Sequence, residues 1–539
     1  MNKYIIILLA FTTVQITFGQ ESFTRQDTLR GSITPERAWW DVTYYHLDVS
    51  VDPATKSIKG KNTVQYKVLE PYKVLQIDLQ APLKITKVVQ NGEILNINHD
   101  GNAHFINLKS DQKKGSIQSL DVYYEGQPQE AKRAPWDGGF SWSKDADGND
   151  FVATSCQGLG ASVWWPNKDH MYDEVDSMLI SVTVPKGLMD VSNGQLRNVE
   201  EHKDGTKTYN WFVSNPINNY GVNVNIGDYV HYSEDYKGEK GLLKMDYYVL
   251  KENLEKAKTQ FKDAPRMMEA FEHWFGPYPF YEDGYKLVEV PYLGMEHQSS
   301  VTYGNKFKNG YLGRDVSGSG WGMKFDFIII HESAHEWFAN NITYKDMADM
   351  WIHESFTSYS ESLFVEYFYG KKAAAEYVIG VRKNILNDKP IIGPYNVNQS
   401  GSGDMYYKGS NILHTLRQWI NDDVKWRGIL RGLNETFYHQ TVTTEQIENY
   451  ISKSAGLDLT AFFNQYLRDA RIPTLEYSIK NKQLKYRWID TVPNFEMPIQ
   501  VYFDGKEQWL FPKTDWSTMK INDDDLKVDV DFYVESLKL

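Results

Sequence analysis

The spacing of apolar residues changes twice along the chain, and this change most limits what the chain can fold into. Up to about residue 236, alternating runs such as 44–49 are separated by turn pairs such as 91–92. That alternation is typical of antiparallel strands joined by tight turns. From about residue 247 to 471 apolar residues recur at helical spacing, and the strand pattern returns after residue 473.

These patterns predict a multidomain α+β fold. The expected segments are residues 1–19 as a signal peptide, 20–240 as an N-terminal antiparallel β-domain, 241–472 as a mainly helical domain and 473–539 as a small C-terminal β-sandwich-like domain. Because Cys156 is the single cysteine, no disulfide can form within the chain, and we expect it to be a small buried apolar residue.

The N-terminus has the pattern of a secretory signal. Lys3 precedes an apolar run at 4–11, and we expect cleavage after Gly19. The alternative is an uncleaved anchor helix, but the run is shorter than the roughly 20 residues that span a bilayer. We therefore predict an exported protein, periplasmic or secreted, with no integral membrane span in the mature chain.

The net charge of the chain indicates which classes of partner it can bind. Lys and Arg number 58 against 71 Asp and Glu, which gives a net charge of −13. Nucleic acid requires a basic surface, so we expect no nucleic-acid partner. Whether the chain forms a homo-oligomer stays open at this point.

Residues 331–335 read His-Glu-Ser-Ala-His, and this is the motif with the clearest chemistry. Four residues of helix turn 400°, so His331 and His335 lie on one face and can both reach one Zn²⁺. Glu332 then projects about 100° away, beside the open side of the metal. Residues 327–330 and 337–338 predict that the helix extends on both sides of the motif. The alternative is a structural helix with ordinary polar histidines.

A third ligand is predicted at Glu354, 19 residues after His335. Three protein ligands with one open position are typical of catalytic zinc. His353 competes for the role, but on a helix it points about 100° from Glu354. Glu361 lies seven residues later on the same face, where it could accept a hydrogen bond from a ligand histidine.

The spacing of these motifs resembles the gluzincin peptidases, and the aminopeptidase N and leukotriene hydrolase family in particular. Residues 293–297, Leu-Gly-Met-Glu-His, are similar to the family's Gly-Ala-Met-Glu-Asn motif. Residues 406–409, Tyr-Tyr-Lys-Gly, are similar to its Tyr-Glu-Lys-Gly segment. Residues 155–157 resemble the β-domain strand whose Gln or Glu helps to bind the substrate amine. The resemblance runs from about residue 40 to 480.

The resemblance implies a thermolysin-like, mainly helical catalytic domain with one Zn²⁺ per chain. The metal ligands would be His331, His335 and Glu354. Glu332 would act as general base, and Tyr406 would donate a hydrogen bond to the oxyanion.

The resemblance also implies peptide substrates with a free N-terminus, from which the first residue is released. Glu296 would pair with the substrate's ammonium group and Gln157 would add an acceptor. Gly294 and Met295 complete the implied substrate-binding loop.

The chain differs from the family pattern at four positions: Leu293, His297, His353 and Ser355. The first two bear on the loop shape and on the size of the first subsite. Many family members continue into a helical domain that covers the active site, so we expect a more open cleft or one closed by a partner subunit.

Two other functions stay open. A thermolysin-type endopeptidase would share the ligands and the base but needs no amine site. A non-catalytic, secreted peptide-binding protein would keep only the fold.

Overall fold

The computed structural model describes residues 22–503, 505–522 and 525–539. The predicted signal peptide at 1–19 lies outside the described residues. Within the described ranges, the helices are too short or too polar to cross a membrane. The predicted multidomain α+β class is confirmed by the order of helices and strands.

The N-terminal region is rich in strands. Its elements are α1 Arg25–Gly31, α2 Pro35–Ala38, β1 Trp40–Asp52, β2 Ser57–Val68, β3 Val74–Asp78, β4 Lys84–Gln90, β5 Glu93–Ile94, β6 Asn96–Asp100, β7 Ala103–Asn107, β8 Ile117–Gly126, β9 Gly139–Lys144, β10 Asp150–Ser155, β11 Ser177–Val184, β12 Met189–Val191, β13 Gln195–Glu201, β14 Lys207–Val213 and β15 Asn225–Gly227.

Eight of these strands form one large sheet, in the order β13-β14-β11-β1-β2-β8-β4-β5. Leu47 and Val49 of β1 are buried while Asp48 and Ser50 are exposed, which is the alternation that places one face of a strand against a core. Strands β1 and β11 pair in parallel, and the other pairs of this sheet are antiparallel. The predicted antiparallel domain therefore contains one parallel pair.

The middle region is mainly helical around one mixed sheet. Its elements are β16 Tyr229–Gly238, β17 Gly241–Leu250, α3 Leu254–Gln260, α4 Asp263–Phe275, β18 Tyr285–Glu289, β19 Gly294–Met295, β20 Val301–Tyr303, α5 Phe327–Ala334, β21 Ile342–Tyr344, α6 Trp351–Tyr369, α7 Lys371–Gly380, α8 Tyr407–Ile420, α9 Asp423–Thr436, β22 Gln440–Val442, α10 Thr444–Ala455 and α11 Thr460–Arg468.

The mixed sheet has the order β16-β17-β18-β20-β19 and places β19 at its edge. The predicted domain boundary at 240–241 falls at the turn between β16 and β17, which pair along their full length. Since β17 also pairs with β18, the whole hairpin belongs to the mixed sheet of the middle region.

The C-terminal region consists of short strands. Its elements are β23 Thr474–Lys480, β24 Gln483–Ile489, β25 Ile499–Phe503, β26 Lys506–Leu510, β27 Ser517–Lys520, β28 Lys527–Val528 and β29 Glu535–Lys538. They form two small sheets, with the orders β27-β24-β23-β29 and β26-β25-β28.

The apolar cores do not follow the three regions. The N-terminal strands surround a core of their own, which reaches the middle region through a few residues such as Tyr292 and Met295. The middle and C-terminal regions share one continuous core. Tyr466 of α11, for example, packs against Phe495 and Tyr533 of the C-terminal region.

Candidate metal and amine-binding site

Three predicted metal ligands meet in a buried cluster between α5 and α6. The Nε2 atoms of His331 and His335 lie 3.8 and 3.5 Å from Oε2 of Glu354. Two ligands about 2.1 Å from a tetrahedral zinc ion are roughly 3.4 Å apart, which is close to these separations. Oε2 of Glu354 is buried and has no hydrogen-bond partner among the residues that the structure describes, as expected of a metal ligand. The donor set and its spacing therefore fit zinc.

The remaining ring nitrogens of both histidines are held by hydrogen bonds. Nδ1 of His331 donates to Oε1 of Glu361 at 2.7 Å, so the role predicted for Glu361 is confirmed. Nδ1 of His335 donates to the backbone oxygen of Phe338 at 3.0 Å, and the hydroxyl of Thr357 lies 3.1 Å from the same nitrogen. A proton on Nδ1 leaves the lone pair of Nε2 free for a metal.

The helix that carries the motif is shorter than predicted. Asp326 caps its N-terminus by accepting hydrogen bonds from the backbone of Ile328 and Ile329. After His335 the backbone turns through a π-type segment, with non-helical angles at Phe338 and Ala339. The apolar residues at 337–338 predicted a continuing helix, and that prediction is wrong. The break turns the Phe338 carbonyl back onto His335.

His353 is not part of the ligand cluster. Its Nε2 accepts a hydrogen bond of 2.9 Å from the backbone of Tyr344, and the two rings lie 4.1 Å apart. Burial lowers the pKa of His353 well below its usual range, so the ring is neutral. Glu354 is therefore the residue of this pair that faces the two histidines.

Glu296 lies beside the ligand cluster. One of its carboxylate oxygens lies within 4.8 Å of ligand atoms of both Glu332 and His335. The Nε2 atom of Gln157 donates to Oε1 of Glu296 at 2.6 Å, across the gap between the N-terminal and middle regions. The structure thus brings together the two residues predicted to hold an amine, although 139 positions separate them.

Gly294 and Met295 form the edge strand β19, and both line the cleft. A Cβ atom on Gly294 would lie 2.6 Å from a methyl group of Ile328 on α5 and 3.3 Å from Cγ of Glu332. Only glycine allows the strand to approach the metal helix this closely. Met295 is buried in the N-terminal core, so it fixes β19 between the two regions.

Glu332 and Tyr406 line the cleft from the helical side. Burial raises the pKa of the Glu332 carboxyl above its ordinary value, while His331 acts in the opposite direction. Burial, together with the charge of Glu354, raises the pKa of Tyr406, so its phenol keeps its proton and remains a donor. The Tyr406 ring stacks on His331 with the ring centres 6.2 Å apart.

The cleft has a volume of about 410 Å³ and has walls from both regions. Three residues that the sequence did not single out contribute here. Tyr220 donates to Glu296, Tyr377 donates to Oε2 of Glu361 at 2.6 Å, and Trp136 stands 66% exposed at the mouth. Thr357, whose hydroxyl lies near His335, is a fourth such residue. It could have been predicted from the sequence, because it lies one helical turn after Glu354 on α6.

The departures from the family motifs have structural explanations. His297 is fully buried, its Nδ1 lies 3.3 Å from the hydroxyl of Thr302, and burial lowers its pKa to about 3. It therefore supports the loop as a neutral ring. Ser355 donates to the backbone oxygen of Met405 at 2.7 Å, which ties α6 to the segment that carries Tyr406.

Two family models match the chain. Residues 42–220 match the Peptidase M1 N-terminal domain, and residues 259–466 match the Peptidase family M1 domain. Together they match more than half of the 539 residues.

Relatives extend the likeness along most of the chain. The leucyl aminopeptidase of Saccharolobus solfataricus is 22% identical over 512 residues, which cover 91% of this chain and 62% of that protein. The endoplasmic reticulum aminopeptidase 1 of Mus musculus is 23% identical over 363 residues, covering 62% of this chain and 36% of that protein. The chain spans less than two thirds of the length of these curated relatives.

The fold is also found among solved structures. An M1 zinc metallopeptidase of Deinococcus radiodurans, a mutant form bound to a Tyr-Ser-Ala substrate, has a TM-score of 0.68 at 20% identity, with 82% of this chain and 98% of that chain covered. This chain therefore shares the fold of that metallopeptidase. The residues matched by the two family models include both walls of the cleft. The resemblance seen in the motifs is confirmed, and the chain belongs to peptidase family M1.

Proposed function

We propose that the chain is a zinc-dependent aminopeptidase that releases the first residue of peptides with a free N-terminus. The observation that supports it best is the position of Glu296, within 4.8 Å of Glu332 and of the ligand His335. In a peptide, the α-nitrogen lies only about 2.5 Å from the first carbonyl carbon. An amine held by Glu296 therefore brings the first peptide bond, and no later one, to the metal cluster.

Recognition of the amine requires a buried carboxylate with a free oxygen. Glu296 is 3% exposed, and its Oε1 is taken by donors from the N-terminal region. Both of these donors bond to Oε1, so Oε2 can accept from the substrate's ammonium group. The carbonyl oxygen of the Gln157 side chain adds a second acceptor.

Zinc held by His331, His335 and Glu354 would supply a Lewis acid that activates water at neutral pH and polarises the carbonyl. Glu332 takes the proton of the attacking water and delivers it to the leaving nitrogen. The phenol of Tyr406 donates to the carbonyl oxygen as negative charge develops there. Glu361 and the Phe338 carbonyl keep both histidine rings in the orientation that this chemistry needs.

The first experiment compares one short peptide with a free and with an N-acetylated end, using purified protein supplied with zinc. We expect hydrolysis of the free peptide alone, with release of its first residue. Equal hydrolysis of both would support a thermolysin-type endopeptidase. Binding of zinc and of peptide without any turnover would support a non-catalytic binding protein.

We also propose that the mature chain is exported, which is supported by Lys3 and the apolar run at 4–11. The expected new end is Gln20. N-terminal sequencing of the protein purified from its natural host tests this, and an N-terminus upstream of residue 15 would contradict it.

A further inference from the structure

Tyr220 contacts the amine site without belonging to any motif. It lies 1% exposed in the short 3-10 segment Asn219–Gly221 of the N-terminal region. Its hydroxyl donates to Oε1 of Glu296 at 3.1 Å, the same oxygen that accepts from Gln157 at 2.6 Å. Two donors from the N-terminal region thus meet at one carboxylate oxygen, and neither of them bonds to the other oxygen.

The segment that carries Tyr220 is fixed to the middle region on both sides. The side chain of Asn218 donates to Oδ1 of Asn340 at 3.1 Å, and Asn340 in turn donates to the backbone oxygen of Glu296 at 2.9 Å. On the other side, Asn193 donates to the backbone oxygens of Gly221 and Gln298, both at 2.7 Å. Tyr220 and Glu296 are therefore held in one rigid network.

Hydrogen bonds to one oxygen determine where the other oxygen points. A carboxylate without such bonds rotates about its last carbon–carbon bond, and any rotation other than one of 180° moves an accepting oxygen away from the amine. Burial raises the pKa of Tyr220 well above its usual range, with the charge of Glu296 acting in the same direction. The hydroxyl therefore keeps its proton and acts as a donor throughout the neutral range.

We propose that Tyr220 is a positioning residue for amine recognition, which holds Oε1 of Glu296 so that Oε2 faces the substrate's ammonium group. Preorganised charged groups bind more tightly because less freedom is lost when the ligand arrives. This inference rests on the proposed aminopeptidase function, but it concerns binding of the amine and can be measured without turnover.

The test compares Tyr220→Phe with the unchanged residue, in chains that carry Glu332→Gln so that no ligand is hydrolysed, in the binding of two ligands, an amino acid amide and its des-amino analogue. Loss of one hydrogen bond to a charged group should weaken binding of the amide about tenfold or more. The des-amino analogue lacks the ammonium group, so its affinity should stay unchanged. In peptide hydrolysis by chains that keep Glu332, KM should rise by a similar factor while kcat changes less than about threefold.

Tyr209→Phe is the matched control. Tyr209 is also buried in the N-terminal region, and its hydroxyl donates to the backbone oxygen of Leu188 at 3.4 Å, in the sheet and away from the cleft. This variant should leave the ratio of the two affinities at its wild-type value. Thermal unfolding of both variants reports any general loss of structure.

Three results would overturn the proposal. Unchanged affinity for the amide in Tyr220→Phe would show that the hydroxyl is dispensable. Equal weakening of both ligands would show a general structural role. Equal affinity of the wild type for both ligands would show that Glu296 does not recognise the ammonium group. In contrast, a wild type that prefers the amide but hydrolyses no peptide would contradict the proposed function and leave the role of Tyr220 measurable.

Discussion

The two walls of the cleft are built in different ways. On the helical wall, the three predicted metal ligands lie within 24 residues of sequence. His331 is on α5, His335 directly follows α5, and Glu354 is on α6. On the opposite wall, Gln157 and Tyr220 come from distant parts of the N-terminal region and meet at Glu296. The helical wall forms the metal cluster from its own core. The N-terminal wall contributes mainly to the amine site, with one long contact of 3.5 Å from Gln157 to Glu354.

This difference indicates that metal binding and amine recognition can be altered separately. The supports of the metal ligands, Glu361 and the Phe338 carbonyl, lie within the middle region. The two side chains that donate to the Glu296 carboxylate, Gln157 and Tyr220, lie in the N-terminal region. Variants on one wall should therefore change one property and leave the other near its wild-type value.

The largest effect is expected for Glu332→Gln on the helical wall. The amide cannot take a proton from water, so kcat should fall by a factor of about 10³, in the range that general-base removal produces. Zinc content should stay at one ion per chain because Glu332 is not a ligand. Metal analysis and peptide hydrolysis measure both, with Glu255→Gln on the surface of α3 as control. Retention of more than a few per cent of activity would contradict the assignment of Glu332 as base.

The next effect is expected for Glu361→Gln, also on the helical wall. Loss of the negative charge beside Nδ1 of His331 should lower zinc affinity by about 10- to 100-fold. Competition with a chelator measures this affinity. Ser360→Ala is the control, because Ser360 is its neighbour on α6 and its hydroxyl, among the described residues, bonds only to the backbone oxygen of Phe356. An affinity equal to that of the wild type would show that the Glu361 carboxylate does not tune the metal site.

A smaller effect is expected for Gln157→Ala on the N-terminal wall. Loss of its hydrogen bond to Glu296 should raise KM for free peptides about tenfold. Zinc affinity should stay unchanged, since the contact from Gln157 to Glu354 is long, at 3.5 Å. Steady-state kinetics and the chelator assay measure the two quantities side by side. Loss of zinc affinity in this variant would contradict the separation of the two walls.

The smallest effect on the site is expected for Asp190→Asn, deep in the N-terminal region. Asp190 is fully buried, and burial raises its pKa well above the ordinary value, so the folded chain keeps this proton. The unfolded chain releases the proton above about pH 4, so wild-type stability falls as pH rises from there to the folded pKa.

Asparagine does not titrate, so Asp190→Asn should gain stability relative to the wild type between pH 5 and pH 7. The gain is at most about 1.4 kcal/mol for each pH unit. Urea unfolding at both pH values measures it, and zinc affinity and KM serve as internal controls. A difference in stability that does not change with pH would show that Asp190 is ionised in the folded chain.

The metal ligands of the helical wall could be predicted from the sequence because they lie close together along the chain. Helical spacing alone places His331 and His335 on one face, and seven residues place Glu361 on the face of Glu354. The same spacing disfavoured His353 as a ligand, and the structure places its ring against Tyr344. The break at Phe338 could not be predicted, since aromatic residues are compatible with a helix and packing decides where it ends.

The N-terminal wall could be predicted only in part. Glu296 and Gln157 were identified through family motifs, because alone each is an ordinary polar residue. Tyr220 was missed, since it is one of 36 tyrosines and lies 76 positions from Glu296. Contacts over such separations depend on how whole sheets pack, and no short pattern records them.

The core shared by the middle and C-terminal regions affects how the chain unfolds. His414 and Arg382 of the middle region bond to Asp531 of the C-terminal region, and Tyr466 donates to the backbone oxygen of Tyr533 at 2.8 Å. We therefore expect the C-terminal strands and the metal-bearing helices to unfold together. A protease cut or a destabilising change among the last strands would loosen the zinc ligands, although it lies far from them in sequence.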